Sequence, residues 1–539
     1  MSNIFAQQCL WTKSAGGKGY DESKSIAIDS RGNIYITGHF QDTATFGNFT
    51  LISKGKNDIF LAKYSPEGKY LWVSSAGGSG VDEGYNITID SKDNIYITGY
   101  FASPTILFDK IKLKNSGKWD IFIAKYSSDG KCIWAKSAGG NNYDYGRSIT
   151  TDSENNIYLT GIYNSGTAIF GDIKLTNSGE SDIFLTKYSS DGKCLWAKSV
   201  GGNKCDVGKG IISDSKGNVY LTGFFGSPVI YFDSYKLINS GKENIFIAKY
   251  TSDGKCLWAK SAGGNNEDEA YSIARDSHDD IYLTGFFGSS SILFDNFKLF
   301  NSGNTNVFIV KYTSEGKCLW AKSAGGESYD NGRGITTDSK GNILITGIFY
   351  SNTASFDDIK LSNSCGSNIF ISKYSPDGKC LWAKSAGGDD FNYNYGNGIA
   401  TDTKENIYFT GNFSSFDATF DTIRLNSSGV YDIFVAKYAD TTHTKPDDLF
   451  LKNDDLFLKV YPNPFITKTT ITYSLTEYSY INISLYDLIG KKVELITNGE
   501  KEAGLYNIEW DRKSISSGVY LIEMKANNKK TQKKIVLMD

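Results

Sequence analysis

Seven tryptophan residues recur along the chain at an almost constant spacing, and this period limits the possible folds more than any other feature. Successive members of the series are 61 or 62 residues apart. The series is Trp11, Trp72, Trp134, Trp196, Trp258, Trp320 and Trp382. A fixed period indicates one supersecondary unit that is repeated and packs against its own neighbours. The repeats extend over residues 8–440, about four-fifths of the 539 residues.

Each unit contains four segments with the composition of β-strands. In one copy the first two segments are residues 148–152 and 157–161, and the third and fourth are residues 182–188 and 194–199. Asn, Asp, Ser and Gly residues between these segments predict turns. Apolar residues on both faces of the strands predict sheets that pack between two neighbouring sheets. The repeat Trp is expected in the core of this packing.

The two ends of the repeat region complement each other. The last unit has a third strand, residues 432–438, but no fourth strand, whereas the chain begins with a fourth-strand sequence at residues 9–14. An N-terminal strand that completes the last sheet closes the ring and protects the end sheets. We therefore predict an all-β protein with a seven-bladed β-propeller closed by its N-terminal strand.

The repeated sequence supports this fold through a family resemblance. It runs Asp-Ile-Phe-Ile-Ala-Lys-Tyr, then Asp-Gly-Lys-Cys-Leu-Trp-Ala-Lys-Ser-Ala-Gly-Gly, then Asn-Ile-Tyr-Leu-Thr-Gly. This consensus resembles the bacterial seven-bladed β-propeller repeat family (SBBP type). The resemblance implies the propeller fold and an extracellular protein. It implies no activity, because propellers serve binding proteins and enzymes alike.

The repeat pattern ends at residue 440. Residues 441–455 are polar and form a predicted linker, and residues 456–539 alternate apolar and polar residues as a small β-sandwich does. Four motifs in this region resemble the type A sorting domain of the type IX secretion system of Bacteroidetes. They are Tyr461-Pro462-Asn463-Pro464-Phe465, residues 485–493, Gly518-Val519-Tyr520-Leu521 and Lys534-Ile535-Val536-Leu537.

The sorting-domain resemblance implies a route out of the cell. It implies Sec export, passage through the outer membrane by the type IX machinery, removal of this domain, and release or anchoring at the surface. An ordinary β-sandwich domain is the alternative. Residues 1–7 contain a short apolar fragment that is compatible with a signal-peptide remnant. The expected location is therefore extracellular or the outer-membrane surface.

Charge and hydropathy exclude several classes of partner. The formal net charge is −3, which gives no indication of nucleic-acid binding. No apolar run approaches the length of about 18 residues that a transmembrane helix needs. We expect a monomer without a transmembrane segment.

The candidate ligand face carries the connections between units and the long insert between the second and third strands, because binding residues are concentrated on loops of rigid scaffolds. Aromatic rings beside Asn and Asp in these loops suit a glycan or protein surface. Alternatively, the rings only pack between loops. The candidate ligand-binding residues are Phe391, Tyr393, Tyr395, Tyr143, Tyr145, Tyr329 and Trp119.

A carboxylate precedes the first strand in six units, with Asn394 in the seventh. These residues are Asp21, Asp82, Asp144, Asp206, Asp268 and Asp330. Such a ring could bind Ca²⁺, which prefers oxygen ligands. The alternative is structural, with each Asp accepting hydrogen bonds from its own Gly-Gly turn. Occurrence in nearly every unit favours the structural role, so no cofactor is predicted.

Recognisable catalytic patterns are missing from the sequence. The three His residues, His39, His278 and His443, do not recur in the repeat, and no phosphate-binding loop is present. Six of the eight Cys residues precede the repeat Trp by two positions, and equivalent points on adjacent sheets are too far apart for disulfides. The predicted function is a non-catalytic binding module for glycan or protein. Alternatives are a polysaccharide hydrolase or lyase acting in the propeller funnel, whose paired carboxylates a sequence does not reveal, and a structural spacer or adhesin component.

Overall fold

The computed structural model describes residues 8–388, 393–414, 416, 418–439, 457–475, 477–502, 504–513, 515–527 and 529–538. Within these residues the regular structure consists of β-strands alone, which confirms the all-β prediction. None of the described segments forms a helix with the length and apolar character needed to cross a membrane. The chain divides into two compact units, one of which is Gln8–Ala439 and the other of which contains Asp440–Asp539.

The first unit contains repeated sheets of four antiparallel strands. The first strands are β2 (Glu22–Ile28), β6 (Asp82–Ile89), β12 (Asp144–Thr151), β18 (Asp206–Ser213), β24 (Asp268–Arg275), β30 (Asp330–Thr337) and β36 (Asn394–Thr401). The second strands are β3 (Ile34–Phe46), β7 (Ile95–Phe101), β13 (Ile157–Tyr163), β19 (Val219–Phe225), β25 (Ile281–Phe287), β31 (Ile343–Phe349) and β37 (Ile407–Phe413).

The outer half of each sheet follows the same plan. The third strands are β4 (Phe49–Tyr64), β10 (Asp120–Tyr126), β16 (Asp182–Tyr188), β22 (Asn244–Tyr250), β28 (Asn306–Tyr312), β34 (Asn368–Tyr374) and β40 (Asp432–Ala439). The fourth strands are β5 (Tyr70–Gly77), β11 (Cys132–Ala138), β17 (Cys194–Val200), β23 (Cys256–Ala262), β29 (Cys318–Ala324), β35 (Cys380–Ala386) and, from the start of the chain, β1 (Gln8–Ala15).

Short hairpins lie in the insert between second and third strands. They are β8 (Thr105–Phe108) with β9 (Ile111–Lys114), β14 (Thr167–Phe170) with β15 (Ile173–Thr176), β20 (Val229–Phe232) with β21 (Tyr235–Ile238), β26 (Ser291–Phe294) with β27 (Phe297–Phe300), β32 (Thr353–Phe356) with β33 (Ile359–Ser362), and β38 (Ala418–Phe420) with β39 (Ile423–Leu425). In the first repeat the same insert is the extended end of β3 and β4.

The strands pair in the order first, second, third, fourth. All residues of β7, β13 and β19 are buried, which agrees with sheets that are covered on both faces. Each first strand packs against the first strand of the next repeat, and β36 packs against β2. The β1 strand pairs antiparallel with β40, from Gln8 opposite Ala439 to Ala15 opposite Ile433. The two ends of the repeat region therefore meet in one sheet.

A clamp made of the repeat Trp and a third-strand Lys connects neighbouring sheets. Trp72 Nε1 and Lys63 Nζ both donate to the carbonyl of Ser128 in the next sheet, at 3.2 and 3.0 Å. The same carbonyl position is used by Trp134 and Lys125, by Trp196 and Lys187, and by Trp258 and Lys249. The clamp recurs because each unit presents the same hairpin carbonyl to the sheet before it.

The clamp also spans the two chain ends. Trp11 Nε1 and Lys437 Nζ donate to Pro66 O at 3.2 and 3.0 Å, so the N-terminal and last strands jointly hold the first hairpin. Trp382 has no following hairpin, because β40 and β1 are not consecutive in the chain. Its Nε1 is accordingly buried without a hydrogen-bond partner among the described residues.

Glycine permits this close contact. Gly192, in the hairpin above Trp134, has φ +83°, and a Cβ there would lie 3.1 Å from the indole ring. The Trp residues themselves are less buried than expected: Trp382 is 7% exposed, but the other six are only partly buried. They lie at the seam between sheets, where one edge of the indole stays near solvent, and not in the centre of the core.

The C-terminal unit has two sheets. One contains β41 (Phe457–Tyr461), β42 (Lys468–Leu475) and β45 (Gly504–Asp511). The other contains β43 (Ser479–Tyr486), β44 (Lys492–Lys501), β46 (Gly518–Ala526) and β47 (Lys529–Leu537). Ile471 and Trp510 from the first sheet, and Ile483 and Met524 from the second, belong to one hydrophobic core.

Candidate ligand-binding site

The six predicted Asp carboxylates hold the loops that enter the first strands. All are at most 1% exposed. Each accepts a hydrogen bond of 2.7–2.8 Å from the second Gly N–H of its own turn. In five repeats a Ser hydroxyl also donates to the carboxylate, as Ser103 does to Asp82 at 2.6 Å. In the seventh repeat the side-chain amide of Asn394 donates to Ser367 O at 3.1 Å.

These contacts keep the carboxylates within their own repeats. The described residues contain no group of three or more His, Cys, Asp or Glu suited to a metal ion, so the six Asp residues are not brought together. Burial is the main cause that raises the pKa of Asp21, to about 7, and the nearby carboxylates of Asp432 and Asp42 raise it further. The geometry makes each Asp a local anchor of its loop.

Three predicted aromatic residues meet in one cluster, which we call the Trp119 cluster. Trp119 stacks on Tyr100 with ring centroids 4.5 Å apart and meets Tyr143 and Tyr145 edge-on at 4.8 and 5.0 Å. The backbones of Trp119 and Tyr143 form a parallel bridge, which holds the insert of one repeat beside the connection to the next. Lys118 Nζ lies 4.4 Å from the Tyr143 ring centroid. The side chains of Trp119, Tyr143 and Tyr145 are partly exposed.

A second group, the Tyr395 cluster, forms where the last repeats meet the first. It consists of Tyr20, Tyr350, Tyr393, Tyr395 and Tyr431. The Tyr350 and Tyr393 rings are 6.2 Å apart, Tyr395 and Tyr431 are 6.0 Å apart, and Tyr20 and Tyr431 are 5.7 Å apart. Tyr20 and Tyr393 are 48% and 45% exposed. The cluster thus presents rings to solvent.

The two other candidate ligand-binding residues, Tyr329 and Phe391, belong to neither cluster. Tyr329 is 54% exposed, and its carbonyl accepts a hydrogen bond of 3.0 Å from the backbone N–H of Tyr350, so it lies beside the Tyr395 cluster. Phe391 lies outside the described residues.

The sequence analysis missed a ring of residues inside the first unit. Every first strand has a register shift around the third residue after the Asp or Asn position. A β-bulge of this kind re-aims a side chain. The bulged residues, here called the bulge ring, are Lys24, Tyr85, Arg147, Lys209, Tyr271, Arg333 and Asn397. All seven line a cavity of about 650 Å³ to which every first strand contributes residues.

The bulge ring is basic and connects with both aromatic clusters. The Arg147 guanidinium lies over the rings of Tyr85 and Tyr145, at 4.4 and 5.0 Å. The Arg333 guanidinium lies 4.9 Å from the Tyr395 ring, and its Nη1 donates to Asn397 Oδ1 at 3.0 Å. Each aromatic cluster therefore continues into the cavity through one guanidinium.

Two of the four cations in the ring have carboxylate partners. Lys24 pairs with Glu22, and Lys209 Nζ lies 3.6 Å from Glu269 Oε2. Burial lowers the pKa of Lys209 to about 8; Glu269 opposes this shift, whereas the charges of Arg147 and Arg333 add to it. The positive groups of three sheets therefore act on one another across the cavity.

The sequence did contain an indication of this ring. The third position after the Asp holds Lys, Tyr, Arg, Lys, Tyr, Arg and Asn in turn, within strands that are otherwise alike. Charged residues in the innermost strand of a packed sheet need a cavity or a partner. Only the bulge, which depends on the register with the second strand, turns them all in the same direction.

The sorting motifs of the C-terminal unit also come together. The Asn463 side chain donates to Lys534 O at 2.9 Å and accepts from the Val536 N–H at 2.8 Å. Phe465 N–H donates to Val536 O at 3.1 Å, so the Pro-Asn-Pro-Phe segment is bound to the final strand. Pro462, Asn463 and Pro464 are exposed, and Tyr461 is described by its backbone in β41. Gly518 pairs with Leu537, and the Tyr520 hydroxyl donates to Ser516 O at 3.0 Å.

Two protein-family models match the chain. The model described as a secretion system C-terminal sorting domain matches residues 459–538. The model described as a beta-propeller repeat, SBBP, matches residues 10–39, 71–100, 133–161 and 319–356.

Two curated relatives share part of the sequence. The uncharacterized WD repeat-containing protein L264 of Acanthamoeba polyphaga mimivirus is 24% identical over 535 residues, covering 80% of this chain and 38% of the relative. The regulatory protein FlaEY of Caulobacter vibrioides is 25% identical over 276 residues, covering 46% of this chain and 28% of the relative. The chain thus spans less than two-fifths of the length of the curated relatives it matches.

Solved structures matched to this chain include PorZ of Porphyromonas gingivalis, described as an essential bacterial surface component of the type-IX secretion system. Its TM-score is 0.40 at 12% identity, with 97% of this chain and 60% of PorZ covered. A member of the DUF4221 family from Bacteroides vulgatus has a TM-score of 0.30 at 13% identity, covering 70% of this chain and 98% of that chain.

The strands, the sheets and the family matches together define a β-propeller repeat protein with a C-terminal sorting domain. More particularly, the chain carries SBBP repeats and the sorting domain of the type IX secretion system. This domain indicates a secreted or cell-surface protein. It also implies that the type IX secretion machinery takes part in the export.

Proposed function

We propose that the protein is an exported, monomeric, non-catalytic recognition module. In this proposal the repeats form a closed seven-bladed propeller, and the C-terminal unit is a β-sandwich that directs secretion. The loop-bearing face of the propeller then binds a glycan or protein at the cell surface or after release. The pairing of β1 with β40 and the contacts among all first strands support the closed ring. The shared core of two sheets supports the sandwich.

The assembly of aromatic rings is the observation on which the recognition role depends. Residues that are far apart in sequence, such as Tyr20 and Tyr431, meet on one surface, where Tyr20 is exposed and Tyr431 is partly buried. Tyr and Trp offer a rigid apolar face beside a polar group, which suits both sugar rings and protein surfaces. Asn and Asp residues in the same loops supply hydrogen-bonding groups.

The cavity lining favours binding over hydrolysis. Glycoside hydrolysis by the usual route needs two carboxyl groups on either side of the bond that is cleaved. The residues described as lining the cavity include four cations and two Tyr but neither Asp nor Glu. A hydrolase or lyase therefore remains the alternative function, to be assayed if the binding screen is negative.

The test is a binding screen of the purified full chain against a glycan array and a panel of bacterial and host surface proteins. Tyr393→Ala and Tyr20→Ala should weaken any specific hit. Tyr231→Ala is the matched control, because Tyr231 is 55% exposed in the peripheral hairpin strand β20 and lies outside both clusters. A hit that is equally sensitive to Tyr231→Ala contradicts the proposed surface. No binding by folded protein contradicts the recognition role and makes polysaccharide degradation the next assay.

A further inference from the structure

We propose that the central cavity of the repeat unit is a second binding site, specific for an oxyanion group such as a sulfate, phosphate or carboxylate. This inference concerns the bulge ring and not the loop face, so it goes beyond the proposed recognition surface. The cavity of about 650 Å³ is large enough for such a group attached to a sugar.

The charges of the bulge ring are only partly balanced by carboxylates. Lys24 and Lys209 have Glu22 and Glu269 beside them. Arg147 and Arg333 have no carboxylate within 4.0 Å among the described residues, although both are partly buried. A cation removed from water without a partner is costly, and a bound anion removes that cost.

Aromatic rings hold both guanidinium groups of the bulge ring. Tyr85 and Tyr145 contact Arg147 through their ring faces, and Tyr395 does the same for Arg333. A cation–π contact fixes a guanidinium without using its in-plane N–H donors. Both Nε atoms are buried without a hydrogen-bond partner among the described residues. Arg donors in this state match the paired oxygens of sulfate, phosphate or carboxylate.

The cations of the bulge ring converge on one cavity. The four cations come from four different sheets, and the bulge in each first strand directs them into the same cavity. Burial lowers the pKa of Lys209, and the charges of Arg147 and Arg333 lower it further. This shift agrees with a positive potential in the cavity. The described residues that line the cavity include no Asp or Glu, and Glu22 and Glu269 beside it pair with the two Lys residues, so the two Arg residues supply the remaining positive charge.

The experiment is calorimetric titration of the full chain with sodium sulfate, sodium phosphate, glucuronate and neutral glucose, at constant ionic strength. We expect saturable binding of at least one anion and none of glucose. Arg147→Gln/Arg333→Gln should weaken that binding by about tenfold or more, since hydrogen bonds to charged groups are lost. Arg31→Gln removes the same charge from an exposed turn outside the cavity and should leave the affinity unchanged.

Each outcome is decisive. Preference for glucuronate over the inorganic ions identifies an acidic saccharide as the source of the anion, and equal binding identifies a free oxyanion. The absence of saturable binding, or equal binding by the double variant, overturns the inference. If the double variant does not fold, Arg333→Lys keeps the charge but removes the paired donors, and undiminished binding then overturns it. Tyr393→Ala should not change anion affinity, which separates this site from the proposed recognition surface.

Discussion

Two rings of side chains in the repeat unit differ in how much their residue types vary between repeats. The clamp ring, formed by the repeat Trp and the third-strand Lys, has the same two residue types in all seven repeats. The bulge ring uses four residue types at one structural position. The clamp repeats one hydrogen-bonding pattern between sheets, so its uniformity serves stability. The bulge ring faces a cavity, so its side chains vary without disturbing the packing of sheets.

The largest expected effect comes from breaking the clamp where the chain ends meet. Deleting residues 1–16 removes β1 and the Trp11 contact to Pro66, leaving the edge of β40 unpaired. We expect aggregation or a loss comparable to the whole stability of a domain, about 5–15 kcal/mol. Thermal melting with light scattering measures it, and deleting only residues 1–7, which spares β1, is the control. An unchanged melt after the longer deletion contradicts ring closure.

The next effect separates packing from hydrogen bonding in the clamp. Trp196→Ala should lower the free energy of unfolding by about 3 kcal/mol, because the indole is only partly buried. Trp196→Phe, which loses the bond to Ser252 O, should cost about 1 kcal/mol more than Trp382→Phe, which loses no bond to any described residue. Urea denaturation measures both differences. Equal losses in the two Phe variants show that the clamp bonds contribute nothing.

A smaller effect concerns pH and the loop anchors. Burial raises the pKa of Asp21 to about 7 in the folded protein, above its ordinary value of 3.8. The folded state therefore binds more protons between these values, and its stability falls as pH rises from about 4 to 7. Asp21→Asn should remove the part of this fall that comes from Asp21, because the Asn side chain does not titrate in this range. Denaturation at pH 4, 5.5 and 7 checks this. An unaltered pH slope in the variant is the contrary result.

The smallest effect is expected in the bulge ring. Arg147→Gln removes a partly buried cation that has no carboxylate partner among the described residues. Loss of its two cation–π contacts is offset by removal of an unpaired cation, so the free energy of unfolding should change by no more than about 1 kcal/mol. Trp134→Ala, in the clamp of the same repeat, is the comparison measured under identical urea conditions. A loss for Arg147→Gln as large as that for Trp134→Ala would erase the distinction between the two rings.

Periodic features of the fold could be predicted from sequence because each leaves a mark in every repeat. The Trp spacing, the turn residues and the missing fourth strand led to the strands and to the pairing of β1 with β40. The six Asp residues were recognised for the same reason. The burial of the Trp was overestimated, since a sequence does not distinguish the core of a sheet stack from its seam.

The site was predicted only in part. Trp119, Tyr143 and Tyr145 were singled out as aromatic loop residues, but their contact depends on a bridge between loops of neighbouring repeats. Tyr20 and Tyr431 approach each other because the chain ends share a sheet. The bulge ring was missed because a bulge is a property of two paired strands. Strand periodicity alone does not show that a cation faces inward.

The pairing of β1 with β40 has a consequence for the order of events in time. Cys9 N–H donates to the Asp421 carboxylate across 412 positions of sequence. A strand made at the start of synthesis can take its place only when nearly the whole repeat region is available, and contacts of this separation form slowly. Most sheets of the repeat region can therefore form before β1 pairs with β40. That pairing is accordingly expected to be the last step in the folding of the repeat region.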